Sequence, residues 1–274
     1  MSIKSQILKT QLDWAKTQGL TFDERGYLSS YEENLYQPLN QKTKVEFDLG
    51  SGSELKDSLR SPAKMRALHS SSALAVNFFD TWVTTDITPL INVLDLDVED
   101  MSIRFEGQYP TGLPGNPPNL DVILESSNGL LVGVESKFTE WLSPKSRNKL
   151  PFKDKYFPQG VGVWEKVGLV QTQKLADKMQ NQSLFFRYLD AAQLMKHALG
   201  LATHHRDKFR LLYIYFDDEG TEGAEHKNEI TIFSNHLKGE LGFCAYTYQH
   251  LILALQKNSE VSDTYIDYLS ARYL

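Results

Sequence analysis

The reading of the fold turns on one stretch: Asn119-Leu120-Asp121-Val122-Ile123-Leu124-Glu125, then Ser126-Ser127-Asn128-Gly129, then Leu130-Leu131-Val132-Gly133-Val134-Glu135-Ser136-Lys137. Two apolar runs flank a polar turn that ends in glycine, the pattern of a β-hairpin. Asp121 and the Glu135/Lys137 pair sit at the ends away from the turn. Charges at the ends of mostly buried strands need a partner or a metal, because a bare buried charge is costly.

The register decides what these charges can do. A three-residue loop of Ser127, Asn128 and Gly129, with Gly129 left-handed, pairs Ser126 with Leu130 and sets Asp121 opposite Glu135. Their Cβ atoms would then lie roughly 4.5–5.5 Å apart, with Lys137 on the same face two residues on. A two-residue Asn128-Gly129 turn instead sets Asp121 opposite Ser136 and turns Glu135 to the other face. In the first register the two carboxylates repel unless a proton or a cation lies between them. A divalent ion that prefers oxygen ligands, Mg²⁺ or Mn²⁺, suits such a pair. It would acidify a bound water and offset charge on a phosphate, with Lys137 orienting that water or sharing the charge. That equipment fits hydrolysis of a phosphodiester bond.

Asp121 followed by Glu135-Ser136-Lys137 on the next strand resembles the PD-(D/E)xK nuclease superfamily, the restriction-endonuclease-like fold. The segments Arg104-Phe105-Glu106, Pro118-Asn119-Leu120-Asp121 and Glu135-Ser136-Lys137-Phe138 are similar to a bacterial nuclease group within it. The resemblance implies that Asp121 and Glu135 bind metal, that the Ser136 backbone carbonyl is a further ligand, and that Lys137 assists the attacking water. It also suggests Glu106, on the preceding strand, as a third metal carboxylate. Gln193, Lys196 and His197 fall on the helix where relatives carry a polar residue facing the site. The usual Pro-Asp pair is Leu120-Asp121 here, with prolines displaced to Pro117 and Pro118. The bare (D/E)xK pattern recurs at Glu54-Leu55-Lys56 and Glu225-His226-Lys227. Neither follows an acid-bearing apolar strand, so both read as incidental.

A chain of 274 residues with 41% hydrophobic and 23% charged residues can bury a core and reads as one elaborated domain over 1–274. Within it, 1–60 reads as an N-terminal helix and irregular extension, 61–216 as the nuclease-like core and 217–274 as C-terminal strands and helices. No run approaches a membrane span, no secretory segment opens the chain, and Cys244 is the only cysteine, so the expected setting is the cytoplasm. There is no Gly-x-Ser-x-Gly and no phosphate-binding glycine loop before a lysine, which disfavours a serine hydrolase and ATP use.

The net charge of −6 is awkward for a protein that grips phosphate. Residues 143–157, however, carry Lys145, Arg147, Lys149, Lys153 and Lys155 against Asp154, with Phe152, Tyr156 and Phe157 interleaved. That mixture suits a nucleic-acid backbone and unstacked bases, DNA being the expected partner; an ordinary solvated loop is the alternative.

Periodicity gives the rest. Helices are expected over 3–17, 62–82, 165–180, 183–199 (closed by Gly200), 249–256 and from Ser262 or Asp263 to 273. Strands are expected over 101–109, 120–125, 130–137, 210–216, 229–233 and 243–248. On the 62–82 helix, Ser70 and Asn77 share a face and could reach substrate, although capping or helix-to-helix hydrogen bonding explains them as well. The expected fold is α/β (α+β), a mixed central sheet with flanking helices and an αβββαβ core. The expected function is a metal-dependent DNA endonuclease connected with restriction or defence, paired as a homodimer if it cuts both strands. A catalytically inactive scaffold that keeps the fold is the competing expectation.

Overall fold

A computed structural model describes residues 3–50, 52–59 and 61–274. The chain runs α1 (Ile3–Thr17), α2 (Gln41–Leu49), α3 (Ser71–Phe79), α4 (Thr88–Val93), β1 (Ser102–Gln108), β2 (Asn119–Glu125) and β3 (Leu131–Lys137). It continues α5 (Val170–Gln180), α6 (Ala191–His205), β4 (Phe209–Tyr215), α7 (Thr221–Leu237), β5 (Cys244–Thr247), α8 (Tyr248–Leu255) and α9 (Asp263–Tyr273). The strands form one mixed sheet in the order β1-β2-β3-β4-β5. β1, β2 and β3 are antiparallel, while β4 and β5 join in parallel.

The β2–β3 hairpin has the longer-loop register. Val122 faces Val134 and Glu125 faces Leu131, the Ser126 N–H donates to the Leu130 carbonyl at 3.0 Å, and Gly129 has φ +86°. Continued by one step, the same count sets Asp121 opposite Glu135.

Two layers of helix cover the sheet. Ile103, Phe105, Val122, Leu124, Val132, Val134, Leu212 and Ile214 pack on α3, α4, α8 and α9. Ile123, Leu131, Leu211, Tyr213 and Tyr215 pack on α5, α6 and α7. β4 is buried along almost its whole length, as a parallel strand covered on both faces should be. The outer edge of β1 is closed by side chains of α2: Lys42 Nζ donates to the Ile103 carbonyl at 2.8 Å and Glu46 Oε2 accepts from the Phe105 N–H at 2.9 Å.

Several expected elements differ. The 20–60 extension holds α2, whose Thr43 and Phe47 face inward one turn apart. The helix expected from 62 starts only at Ser71, because Ser70 caps it by accepting from the Ala73 N–H; 64–66 is a single 3-10 turn. The stretch expected as a strand at 229–233 lies inside α7. Its β-branched run favours a strand locally, but His226, Glu229, Ile230, Phe233 and Leu237 bury one helical face.

The helix expected over 183–199 is displaced to α6. Glu229 accepts from the N–H groups of Arg187, Tyr188 and Leu189 and holds them in a loop; Asp190 then caps α6 through the Gln193 N–H. Nor does Gly200 end that helix. A Cβ there would lie 2.4 Å from the Tyr109 carbonyl oxygen, so the glycine permits close approach while the buried stripe runs on through Leu201 and Ala202.

Candidate active site

β2 breaks its alternation where the acid sits. Leu120 and Ile123 both pack toward the α6 layer, although strict alternation would separate them. Opposite Asp121, Glu106 has φ +53°, in the left-handed region. This local irregularity leaves Asp121 half-buried at the end of the β2–β3 ladder. Its Oδ2 accepts from the Ser136 N–H at 2.7 Å. Lys137, one residue on, spends its carbonyl on the Phe216 N–H at 2.8 Å, on the β4 side. Peptide groups alternate sides along a strand, so the Ser136 carbonyl points toward β2 and Asp121. From the other face, Tyr248 holds the Ser136 hydroxyl at 2.6 Å.

Glu135 is almost fully buried, at 1% exposure. Its Oε1 is in ion-pair contact with Lys137 Nζ, and its Oε2 lies 2.9 Å from His197 Nε2 on α6. Both oxygens are thus already in contact with a basic side chain. Burial pushes the Glu135 carboxyl up, but Lys137 and His197 outweigh it and hold it down at about 2. Asp121 goes the other way: burial and then the Glu135 charge raise it well above the ordinary aspartate range. Lys137 is raised as well, since Glu135 and Asp121 overcome its burial, and it is therefore a fixed cation.

Asp121 and Lys137 open onto a cleft of about 440 Å³. Its opposite wall comes from the segment before α3 and from the α3 N-terminus. Glu54, 7% exposed, pairs with Lys64 at 2.7 Å through Oε1 and accepts from the Ser72 hydroxyl at 2.7 Å through Oε2. Glu106 also lines the cleft; burial raises its carboxyl while Asn119, donating at 2.8 Å, draws it back.

The donor chemistry fits a hard divalent cation. Buried Glu135 offers two carboxylate oxygens, each against a basic side chain, Asp121 keeps one oxygen free of the Ser136 amide, and the Ser136 carbonyl points between the strands. No group of three or more His, Cys, Asp or Glu side chains forms a cage among the described residues. Mg²⁺ commonly takes only one or two carboxylates, with water and phosphate completing its shell.

Comparison with known proteins adds one finding. Residues 7–274 match the family model REase-ARP, described as restriction endonuclease associating with ARP. The chain belongs to this family. No curated protein and no solved structure gives a significant match. The mixed sheet with flanking helices is consistent with a restriction-endonuclease-like α+β fold. No described helix is long and apolar enough to cross a membrane.

The other expected site residues of this REase-ARP member divide. His197 reaches Glu135. Gln193 is half-buried in the first turn of α6, and makes no hydrogen bond to Glu135 or Lys137. Asn77 lies elsewhere: it donates to the Asn34 carbonyl and the Tyr273 hydroxyl and accepts from the Tyr36 N–H, joining chain segments in the core. In the basic loop, Phe152 and Tyr156 pack around Trp164 in the core, with Phe157 against them, so these rings are not presented to bases. Lys155 is spent on the Pro114 carbonyl and Lys153 is exposed. Lys145 donates to the Tyr188 carbonyl at 3.1 Å. Sequence reasoning missed Glu54. Its Glu54-Leu55-Lys56 context offers no periodicity, and only the fold carries it to Lys64 and Ser72.

Proposed function

We propose that this chain is a divalent-metal-dependent endonuclease of the PD-(D/E)xK kind acting on DNA. The observation that carries the reading is the juxtaposition of Glu135, a deeply buried carboxylate, with the raised carboxyl of Asp121 and the Ser136 carbonyl at the end of one hairpin. Those three would hold Mg²⁺ or Mn²⁺. The ion, when bound, supplies a water of lowered pKa and offsets charge on the phosphate. Lys137, kept protonated by its neighbours, places a positive charge beside the phosphate and does not act as a base. His197 touches only Glu135 among these groups and is a positioning residue. The α3 N-terminus, exposed to the cleft at Ser71 and Ser72, favours an anion there. The family description supports a connection with restriction; the setting proposed is the cytoplasm, and two copies acting together would cut both strands.

One observation favours the competing reading of an inactive scaffold. Lys137 already pairs with one oxygen of Glu135, and His197 holds the other. Plasmid cleavage in Mg²⁺ or Mn²⁺ separates the two. Wild type is expected to cut, with Asp121→Ala and Lys137→Ala each slower by on the order of 10³-fold while their melting curves stay cooperative. Equal cutting by both variants and wild type would falsify the assignment; no cutting by wild type in either metal would favour the scaffold.

A further inference from the structure

A second hollow, of about 410 Å³, lies between the 145–151 loop, the end of α5 and the start of α6. Its floor is apolar, with Leu184, Phe186 and Leu189, and its rim carries Lys145, Arg147, Lys149 and Lys196. Asp190 is the one acid among the described lining residues, and it is already engaged. It caps the Gln193 N–H at 3.0 Å and lies 3.6 Å from Lys145. The hollow adjoins the cleft's chemistry through α6, where Lys196 lines it and the next residue, His197, touches Glu135.

Phe185 also lines the hollow. The ring is half-buried, with the Arg147 guanidinium 5.9 Å from its centroid. A surface that only tracks duplex phosphates has no use for an apolar floor or an aromatic platform. A hollow of this size, flat and apolar within and cationic at the rim, matches one base with its phosphate. We propose that it holds a single unpaired nucleotide of a DNA strand, its base on Phe185 and its phosphate between Arg147 and Lys149, since Lys145 is already spent on Asp190 and the Tyr188 carbonyl. The proposal rests on DNA being the substrate and adds a preference for strands with unpaired ends or frayed bases.

Fluorescence anisotropy of the full chain with EDTA present tests it without chemistry. The probes are a labelled single strand of about 12 nucleotides, within the usual span of such sites, and a blunt duplex of the same sequence. The single strand is expected to bind more than about fivefold tighter than the duplex. Phe185→Ala should weaken single-strand binding by about 5- to 100-fold, the usual worth of one stacked base, and leave duplex binding unchanged. Arg147→Gln, at an exposed position that folding does not need, should weaken it several-fold, which guards against a misfolded Phe185 variant. Equal affinity for both probes, or an undiminished preference in both variants, overturns the proposal. Asp121→Asn should keep the wild-type preference. A protein that never cuts DNA yet keeps the preference loses the nuclease reading alone, whereas one that cuts without preference loses only the nucleotide site.

Discussion

The cleft has two walls of opposite origin. One is the β2–β3 hairpin, whose charges follow from a period of two and a glycine turn within 19 residues of sequence. The other is the segment before α3, which brings Glu54 and Lys64 to Ser72 without any regular element to announce it. They also differ energetically. Glu54 is satisfied by Lys64 and Ser72, whereas Asp121 is held in a form that resists ionisation. A wall of paired charges faces one whose aspartate resists ionisation.

Substitution of the hairpin acid breaks this comparison most severely. Asp121→Asn keeps an acceptor for the Ser136 amide but cannot give up a proton, so cleavage should fall by on the order of 10³-fold. Stability should move the other way. Because the folded value for Asp121 lies above its ordinary 3.8, the group stabilises the fold at pH below that ordinary value, and this contribution is lost as pH rises through the folded value. At neutral pH without metal, Asp121→Asn should therefore melt higher by roughly 2–4 °C, the equivalent of about 1 kcal/mol. Metal binding must displace the same proton, so the rise in melting temperature caused by Mn²⁺ in wild type should shrink as pH is lowered. A variant that melts lower than wild type, or a pH-independent Mn²⁺ effect, would remove the strain assigned to Asp121.

Glu54→Gln probes the opposite wall and should behave in the reverse way. It strips the charged partner from Lys64 and weakens the bond to Ser72, costing about 1–2 kcal/mol in denaturant titration. Because Lys64 is largely exposed, the lower figure is expected. Cleavage should drop only about tenfold, a modest disturbance of cleft geometry compared with the loss of a metal ligand. A loss as deep as that of Asp121→Asn would place Glu54 among the groups that touch substrate or metal. The smallest effect concerns the turn. Gly129→Ala has open space for its methyl group but must hold φ near +86°, costing about 1 kcal/mol with cleavage unchanged if the register survives.

What could be read in advance follows the same division. The hairpin, β1 and β4 are legible because alternation and turn residues act within a few positions of one another. His197 came within reach because the apolar stripe around it turns that helix toward the sheet. The wrong strand at 229–233 and the misplaced start of α6 share one cause. Glu229, a residue with no local reason to be buried, fixes the loop at 187–189 and lies within α7. The aromatics of the basic loop misled for a different reason, since Phe152 and Tyr156 pack on nearby Trp164, which anchors them to α6 through the Met195 carbonyl. Long-range polar contacts such as those of Glu229 leave no periodic trace.

The pair of α2 side chains along β1 carries a consequence for assembly. An open strand edge invites a neighbour's strand, and continuous sheets between copies are a common route to both dimers and aggregates. Lys42 and Glu46 occupy the outward peptide groups of Ile103 and Phe105, so that margin has no free backbone to offer at those positions. A second copy that added its strand at this margin would first have to displace Lys42 and Glu46.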